Sequence, residues 1–205
     1  MRIGIIDIKA GNIFSVVKAF KSLDSNPEVV DSSQNIKDFT HIVIPGVAAY
    51  KTGADFLKKN NFSEEIIKHI NKGKPLLGLC LGCQLLMDKS FEFGEHQGLG
   101  VISGDVNKIK ITSSIKVPHV GWKPLKINNT YKNTILSDMT NNSYVYFTHS
   151  FVCEPKDKKN CLATFNYGDK NLIGAIINDN IIGLQFHPEI SGSVGRKILK
   201  KFINL

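Results

Sequence analysis

The first half of the chain alternates between short apolar runs and segments in which apolar residues recur at helical spacing. The apolar runs predict buried strands at residues 3–7, 29–30, 41–44 and 74–79. Helical spacing predicts helices at residues 14–23 and 62–70, the second with Ser63 as its N-cap, and a further helix beginning at Gln84. Turns are predicted at residues 9–12 and at Pro45-Gly46. Strands that alternate with helices favour a parallel α/β sheet.

The second half contains short strands joined by polar turns. They are predicted near Val117 and at residues 144–148, 161–165, 172–177 and 181–185, with a tight hairpin over residues 176–182 and a basic amphipathic helix at 194–203. We therefore expect one α/β domain over residues 1–205. Its mixed, mostly parallel central sheet is flanked by helices and carries an antiparallel extension.

The composition is typical of one globular domain. The chain has 205 residues, of which 42% are hydrophobic and 21% are charged. No apolar run approaches the ~20 residues that a membrane helix needs, and the N-terminal run is too short for a signal peptide. These features predict a cytoplasmic protein that does not enter a membrane.

The net charge of +8 raises the question of nucleic acid. The lysines are scattered or form short clusters, and no basic stripe is interleaved with aromatic residues. This pattern predicts a solvated basic surface and no nucleic-acid partner, although a phosphorylated small molecule or an acidic protein would use the same field. Cys80 and Cys83 form a C-x-x-C pair, but Cys153 and Cys161 are too widely spaced to complete a zinc site, so we expect neither metal nor cofactor.

The segment Gly78-Leu79-Cys80-Leu81-Gly82 lies between a predicted strand and a predicted helix. It matches the glycine-flanked elbow that holds a nucleophile on a sharp, strained turn. A helix beginning there would favour the thiolate of Cys80. A buried structural cysteine remains the simple alternative for this motif alone.

A cysteine nucleophile needs a base, and His187-Pro188-Glu189 follows another predicted strand. Side chains two apart in an extended segment point the same way, so Glu189 can orient the imidazole of His187. Pro45-Gly46-Val47 ends a third strand, where Gly46 and Val47 can supply oxyanion donors together with Leu81. A surface loop and an ordinary turn are the alternatives for these two segments taken singly.

With these motifs in place, the chain resembles the class I, triad-type glutamine amidotransferases. It is similar in particular to the branch that serves imidazole glycerol phosphate synthase in histidine biosynthesis. Further matching motifs follow in the expected order over nearly the whole chain: Gly11-Asn12, Gly98 to Gly100, Pro118 to Trp122, Tyr146 to Phe151 and Gln185 to Gly192.

The resemblance implies a role for each matching residue. Cys80 attacks the side-chain amide of L-glutamine, His187 transfers the proton, and Glu189 orients His187. Gln84 and Glu92 hold the α-amino and carboxylate ends of the substrate, helped by residues 148–151, which are Thr148, His149, Ser150 and Phe151. Gly11, Asn12, Trp122 and Lys123 face a (β/α)8-barrel synthase subunit, which receives the ammonia in a heterodimer.

The chain also departs from the family pattern. Ala48 stands where a second glycine commonly follows the Pro-Gly-Val motif, and Lys123 replaces an asparagine at the expected partner face. These departures leave open a paralogue that supplies ammonia to a sugar amidotransferase in surface-polysaccharide biosynthesis. A cysteine hydrolase with the same elbow would need neither Gln84 nor Glu92, whereas a silent binding subunit would have lost one of the triad residues, all of which are present.

Overall fold

The structure, a computed structural model, describes residues 1–9, 11–128, 130–131, 134–140 and 142–205. The predicted turn at residues 9–12 includes Ala10, which lies outside the described residues. The strands are β1 (Ile3–Ile6), β2 (Glu28–Val30), β3 (His41–Ile44), β4 (Leu76–Leu79), β5 (Met87–Ser90), β6 (His96–Gln97), β7 (Ile102–Lys108), β8 (His119–Pro124), β9 (Lys126–Ile127), β10 (Tyr144–His149), β11 (Phe151–Pro155), β12 (Cys161–Tyr167), β13 (Lys170–Asn178) and β14 (Ile181–Leu184).

The helices lie mainly in the first half of the chain and at its end. They are α1 (Ile13–Lys21), α2 (Tyr50–Lys59), α3 (Phe62–Ile70), α4 (Leu81–Leu85) and α5 (Gly192–Ile203), with short 3-10 helices at Ser33–Asp38, Lys158–Asn160 and Pro188–Ile190. Among the described residues, no helix combines the length and the apolar character needed to cross a bilayer.

The central sheet has eight strands in the order β2-β1-β3-β4-β14-β13-β12-β9. The five strands from β2 to β14 pair in parallel, and β13, β12 and β9 add an antiparallel extension. All residues of β1, β3, β4 and β14 are buried, because apolar clusters cover both faces of the sheet. This architecture confirms the predicted mixed α/β fold.

Two smaller sheets were not predicted. β10 and β8 form an antiparallel ribbon, and β11, β7, β5 and β6 form a four-stranded sheet. The ribbon buries Val145, Phe147 and His149 on its inner face. Its position brings the end of β10 beside the end of β4, as shown by the 3.8 Å between the Thr148 carbonyl oxygen and Cys80 Sγ.

Two local predictions were wrong, and one helix was not predicted. The helix expected to begin at Gln84 is α4, which starts immediately after Cys80 and ends before β5. Ser63 is not the N-cap of α3, because the helix already begins at Phe62 and Asn61 occupies that place in a left-handed conformation. α2 was missed, since Gly53 in its middle is typical of a turn, whereas here the glycine lets α2 pack closely on Leu85 of α4.

Candidate active site

Cys80 lies on a sharp turn between β4 and α4. Its backbone has φ 51° and ψ −104°, a conformation that non-glycine residues rarely adopt and that the surrounding structure must hold in place. The Cys80 N–H donates to the Leu184 carbonyl at 2.8 Å, which ties the turn to β14. The sequence therefore forms the predicted elbow.

The two glycines of the elbow are required by close backbone contacts. A Cβ on Gly78 would lie 2.5 Å from the Gly82 carbonyl oxygen, and a Cβ on Gly82 only 1.7 Å from the Ile44 carbonyl oxygen. α4 has five residues, so the helix dipole expected to favour the thiolate comes from little more than one turn. Side chains around the sulfur must therefore provide much of the stabilisation of the thiolate.

His187 and Glu189 meet as predicted. They follow β14, which pairs in parallel with β4 and so ends beside Cys80. His187 Nδ1 and Glu189 Oε1 are 2.8 Å apart, and the two side chains are 5% and 9% exposed. Burial alone would lower the pKa of His187, but Cys80 and Glu189 together raise it to about 10. The arrangement favours an imidazolium ring beside the sulfur.

The predicted oxyanion residues come together, but the hole is occupied by the protein itself. The Leu81 N–H donates to the Gly46 carbonyl oxygen at 3.1 Å, so this predicted donor already has an acceptor. Val47 is 56% exposed at the mouth of the site. An oxyanion can accept a hydrogen bond from the Leu81 N–H only after the Gly46 carbonyl has turned away from it.

A cavity of about 250 Å³ opens beside Cys80. Its wall contains every residue predicted to bind the substrate, together with parts of the elbow and the oxyanion segment: Val47, Ala48, Ala49, Cys80, Leu81, Gln84, Glu92, Pro118, Thr148, His149, Ser150 and Phe151. The cavity is enclosed on one side by β10 and β11 and on the other by α4. Its polar wall suits a small zwitterionic substrate.

Gln84 and Glu92, the two predicted substrate-binding residues from the first half of the chain, are held by hydrogen bonds. Gln84 Nε2 donates to the Phe151 carbonyl at 3.1 Å and to Gln185 Oε1 at 3.2 Å. Glu92 Oε2 accepts from the Tyr50 N–H at 2.6 Å at the start of α2. Gln185 also belongs to the site but was not predicted as a site residue. A glutamine within an apolar strand run indicates a buried side chain that needs a hydrogen-bond partner.

A pair of neutral histidines supports the far wall of the cavity. The Phe151 carbonyl can only accept, so His149 Nδ1, 2.8 Å away, carries a proton and its Nε2 is bare. His119 Nδ1 therefore donates to His149 Nε2 at 3.1 Å. Burial lowers the pKa of His149 to about 3 and that of His119 to about 4, so His149 acts as a structural residue and not as a second base.

We expect this pair to make the protein sensitive to acid. Both rings stay neutral in the folded chain but take up protons in the unfolded chain below its ordinary pKa of 6.5. Their contribution to stability is thus complete above pH 6.5 and is lost as pH falls towards 4. Each ring steepens the fall in unfolding free energy by about 1.4 kcal/mol per pH unit.

His119→Gln tests this effect, because the glutamine can still donate to His149 but cannot titrate. Urea unfolding between pH 6.5 and 4.5 should show a slope smaller by about 1.4 kcal/mol per pH unit than that of the wild type. His69, whose pKa burial lowers to about 4, contributes equally to both proteins. Equal slopes in the two proteins would contradict the neutral pair.

The residues expected at a partner face lie in two places, the segment before α1 and strand β8. Gly11 packs against the oxyanion segment, since a Cβ there would lie 3.2 Å from the Val47 nitrogen. Asn12 caps α1 by accepting from the Ser15 N–H. Trp122 is half exposed on β8, whereas Lys123 points to the other side of the ribbon, 5.5 Å from the Tyr167 ring centroid. Only Trp122 of these two adjacent side chains faces outward.

Cys83 lies one helical turn beyond the nucleophile but is chemically different. Its Sγ is 3.7 Å from Cys153 Sγ, and no disulfide joins the two. Burial raises the pKa of the Cys83 thiol well above its ordinary value, which keeps it protonated. Among the described residues, no three histidine, cysteine or acidic side chains are grouped as a metal site requires.

The fold and this site define a cysteine-dependent amidotransferase, and comparison with known families agrees. The model of the family "Glutamine amidotransferase class-I" matches residues 4–205. The chain therefore belongs to the class I glutamine amidotransferases.

Curated relatives identify a particular branch of the family. A protein of Caldanaerobacter subterraneus subsp. tengcongensis is 43% identical over 98% of this chain and 96% of its own length, and one of Legionella pneumophila (strain Lens) is 38% identical over 99% of both. The first is named imidazole glycerol phosphate synthase subunit HisH, and the second imidazole glycerol phosphate synthase subunit HisH 1.

Solved structures share the fold at low sequence identity. A crystal structure of a glutamine amidotransferase has a TM-score of 0.76 at 17% identity and covers 98% of this chain and 97% of its own. The structure of PurLQS from Thermotoga maritima has a TM-score of 0.75 at 21% identity, with 99% and 97% covered. These likenesses support the architecture described above.

Proposed function

We propose that the chain is the glutaminase subunit of imidazole glycerol phosphate synthase and hydrolyses L-glutamine to glutamate and ammonia for histidine biosynthesis. The observation that carries this proposal is the likeness to HisH subunits over nearly the full length of both chains. The relatives favour this pathway over surface-polysaccharide biosynthesis, despite Ala48 and Lys123. The cavity beside Cys80 has the size and polarity for glutamine.

The triad geometry supports a thioester mechanism. Cys80 Sγ attacks the side-chain amide carbon of glutamine after its proton has passed to His187. His187 then gives this proton to the nitrogen as the C–N bond breaks, which releases ammonia and leaves a glutamyl thioester. Water, deprotonated by His187, attacks the thioester carbon; glutamate leaves and the thiol is restored. Glu189 keeps the ring of His187 oriented through its 2.8 Å hydrogen bond.

The hydrogen bonds of Gln84 explain how it can hold the substrate. The Phe151 carbonyl and Gln185 Oε1 both accept from Gln84 Nε2, and these two hydrogen bonds fix the orientation of the Gln84 amide. Gln84 Oε1 is therefore left to accept a hydrogen bond from the α-ammonium group of the substrate. One carboxylate oxygen of Glu92 accepts from the Tyr50 N–H, and the other can accept from the α-ammonium group of the substrate. We assign the α-carboxylate to the wall formed by residues 148–151.

The location and partner follow from the same proposal. Ammonia must reach a second active site, and we place a (β/α)8-barrel synthase subunit over Gly11, Asn12 and Trp122, but not over Lys123, which points to the other side of the ribbon. L-Glutamine and this barrel are the partners of a heterodimer. Free cysteines fit a reducing compartment, and we propose a cytoplasmic location.

Growth of a bacterium that lacks its own HisH subunit tests the function. Expression of this chain should restore growth without histidine, provided that the cognate barrel subunit is expressed with it. Cys80→Ala should not restore growth, while the buried neighbour variant Cys83→Ala should. Failure of the wild-type pair, with both proteins present in soluble extract, would contradict the histidine assignment.

The occupied oxyanion hole predicts activation by the partner. In the chain alone, the Leu81 N–H is bound to the Gly46 carbonyl, and Ala48 restricts the rotation of this segment more than glycine would. Loss of one oxyanion donor typically costs about 10²–10³ in kcat. We expect the isolated chain to release glutamate at least about 100-fold more slowly than the complex, at saturating glutamine. Equal rates would contradict the closed hole.

A further inference from the structure

Gln185 has a buried polar side chain beside the nucleophile, and this side chain has no role in the triad mechanism. It follows β14 directly and is 1% exposed. Its backbone N–H donates to the Gly174 carbonyl on β13, so the strand fixes its position. Its side chain reaches across to the elbow, with Nε2 3.9 Å from Cys80 Sγ and Oε1 3.2 Å from Gln84 Nε2.

The orientation of this amide is set by a chain of hydrogen bonds that starts at a fixed acceptor. The Phe151 carbonyl can only accept, so the nearby end of Gln84 must be its NH2 group. That NH2 group also lies against Gln185, which must present its oxygen there. The NH2 group of Gln185 is thereby aimed at the sulfur. Reversing the Gln84 amide would place its oxygen against the Phe151 carbonyl oxygen, and reversing the Gln185 amide would place its NH2 group against that of Gln84.

The neighbours of the sulfur favour opposite protonation states. The Thr148 carbonyl, 3.8 Å away, accepts the S–H hydrogen and stabilises the thiol. An N–H donor stabilises the thiolate. The titratable groups around Cys80 are His187, with Glu189 behind it, the protonated Cys83 on α4, and Glu92 and the neutral His149 in the wall of the same cavity. Because α4 is short, a side-chain donor at the sulfur has more to contribute than it would beside a long helix.

We propose that Gln185 is a catalytic residue that donates its side-chain N–H to Cys80 Sγ and so favours the thiolate, with Gln84 holding it in orientation. This deepens the proposed glutaminase function. The thiolate attacks glutamine in the first half of the reaction and leaves the thioester carbon in the second, so one donor assists both halves. Gln84 then links the substrate's ammonium end to the nucleophile through a single neighbouring amide.

The test is the pH dependence of Cys80 alkylation by iodoacetamide in the full-length chain. The mass of the Cys80 peptide follows the reaction and separates it from that of Cys161. Gln185→Met keeps the length of the side chain but removes the donor. We expect the midpoint to rise by about one pH unit. Below both midpoints, alkylation should slow by about three- to fourfold, because the smaller thiolate fraction is partly offset by the greater nucleophilicity of the more basic thiolate.

Asn160→Leu is the matched control. It also removes a buried amide, whose Nδ2 donates to the Ile177 carbonyl at 2.7 Å, but it has no hydrogen bond to Cys80 or Gln84. Its alkylation midpoint should equal that of the wild type. An unchanged midpoint in Gln185→Met, or an equal rise in Asn160→Leu, would overturn the proposal.

Gln185→Glu provides a second variant should the methionine variant fail to fold. The carboxylate still accepts from Gln84 but repels the thiolate, so the midpoint should rise by more than one pH unit. A midpoint at the wild-type value in this variant would also refute the donor role. Alkylation requires neither glutamine nor a barrel subunit, so an inactive wild type would count against the glutaminase assignment alone.

Discussion

Cys80→Ala should reduce glutamine hydrolysis by roughly 10⁴-fold or more, because removing a triad nucleophile leaves only binding and the oxyanion donors to act. Glutamate release is measured in the presence of the proposed barrel subunit, at saturating glutamine. Cys83→Ala is the matched control, since it removes a buried sulfur one turn further along α4. Its turnover should stay within about threefold of the wild type. Turnover of Cys80→Ala within tenfold of the wild type would contradict the triad.

The same variant gives a second, independent signal at the base. Without the sulfur, burial and Glu189 remain the main influences on His187, and burial lowers its pKa. The pKa of His187 should therefore fall below the value of about 10 expected for the wild type. An NMR titration of the imidazole protons measures it. A preserved, strongly raised pKa would show that Cys80 is not the group that charges the ring.

Gly82→Ala should cost about 4 kcal/mol or more of unfolding free energy and also abolish activity. A methyl group there would lie 1.7 Å from the Ile44 carbonyl oxygen, so the elbow must move away from β3. Such overpacking against backbone belongs to the severe class of single substitutions. Chemical denaturation measures the loss, and glutamate release reports the displacement of Cys80.

Gly73→Ala is the control that distinguishes a steric clash with the backbone from the strain of placing alanine at a positive φ. Gly73 has φ 72°, and no atom would lie within 4 Å of a Cβ at this position, whereas Gly82 is not in the left-handed region. The Gly73 variant should lose only about 1 kcal/mol. If Gly82→Ala lost no more than Gly73→Ala, the close packing of the elbow on β3 would be wrong.

The parts of the site that depend on residue type could be predicted from the sequence. Cys80 sits between glycines that only a tight elbow requires, and His187 and Glu189 have the spacing that points two side chains one way. These two features predict which groups form the triad. The parallel pairing of β4 with β14, which brings the groups together, was not predicted, because two apolar runs do not show which strands are neighbours.

Other parts depend on choices that residue types do not determine. The Gly46 carbonyl can point at the Leu81 N–H or away from it, and the Pro-Gly-Val motif is the same in both cases. α2 was missed because Gly53 resembles a turn until Leu81 and Leu85 are known to pack against it. Gln185 was noticed only as part of a motif, since its significance lies in long-range contacts with Gln84 and Cys80.

The contact between Gly46 and Leu81 bears on the nitrogen economy of the cell. Glutamine is a principal store of reduced nitrogen, and a free subunit with an open site would release ammonia without any acceptor. Under the proposed function, the Gly46 carbonyl accepts the Leu81 N–H in the free subunit, and we expect a surplus of this subunit over its partner to consume little glutamine. The proposal thus predicts that the two subunits can be synthesised in unequal amounts without futile hydrolysis.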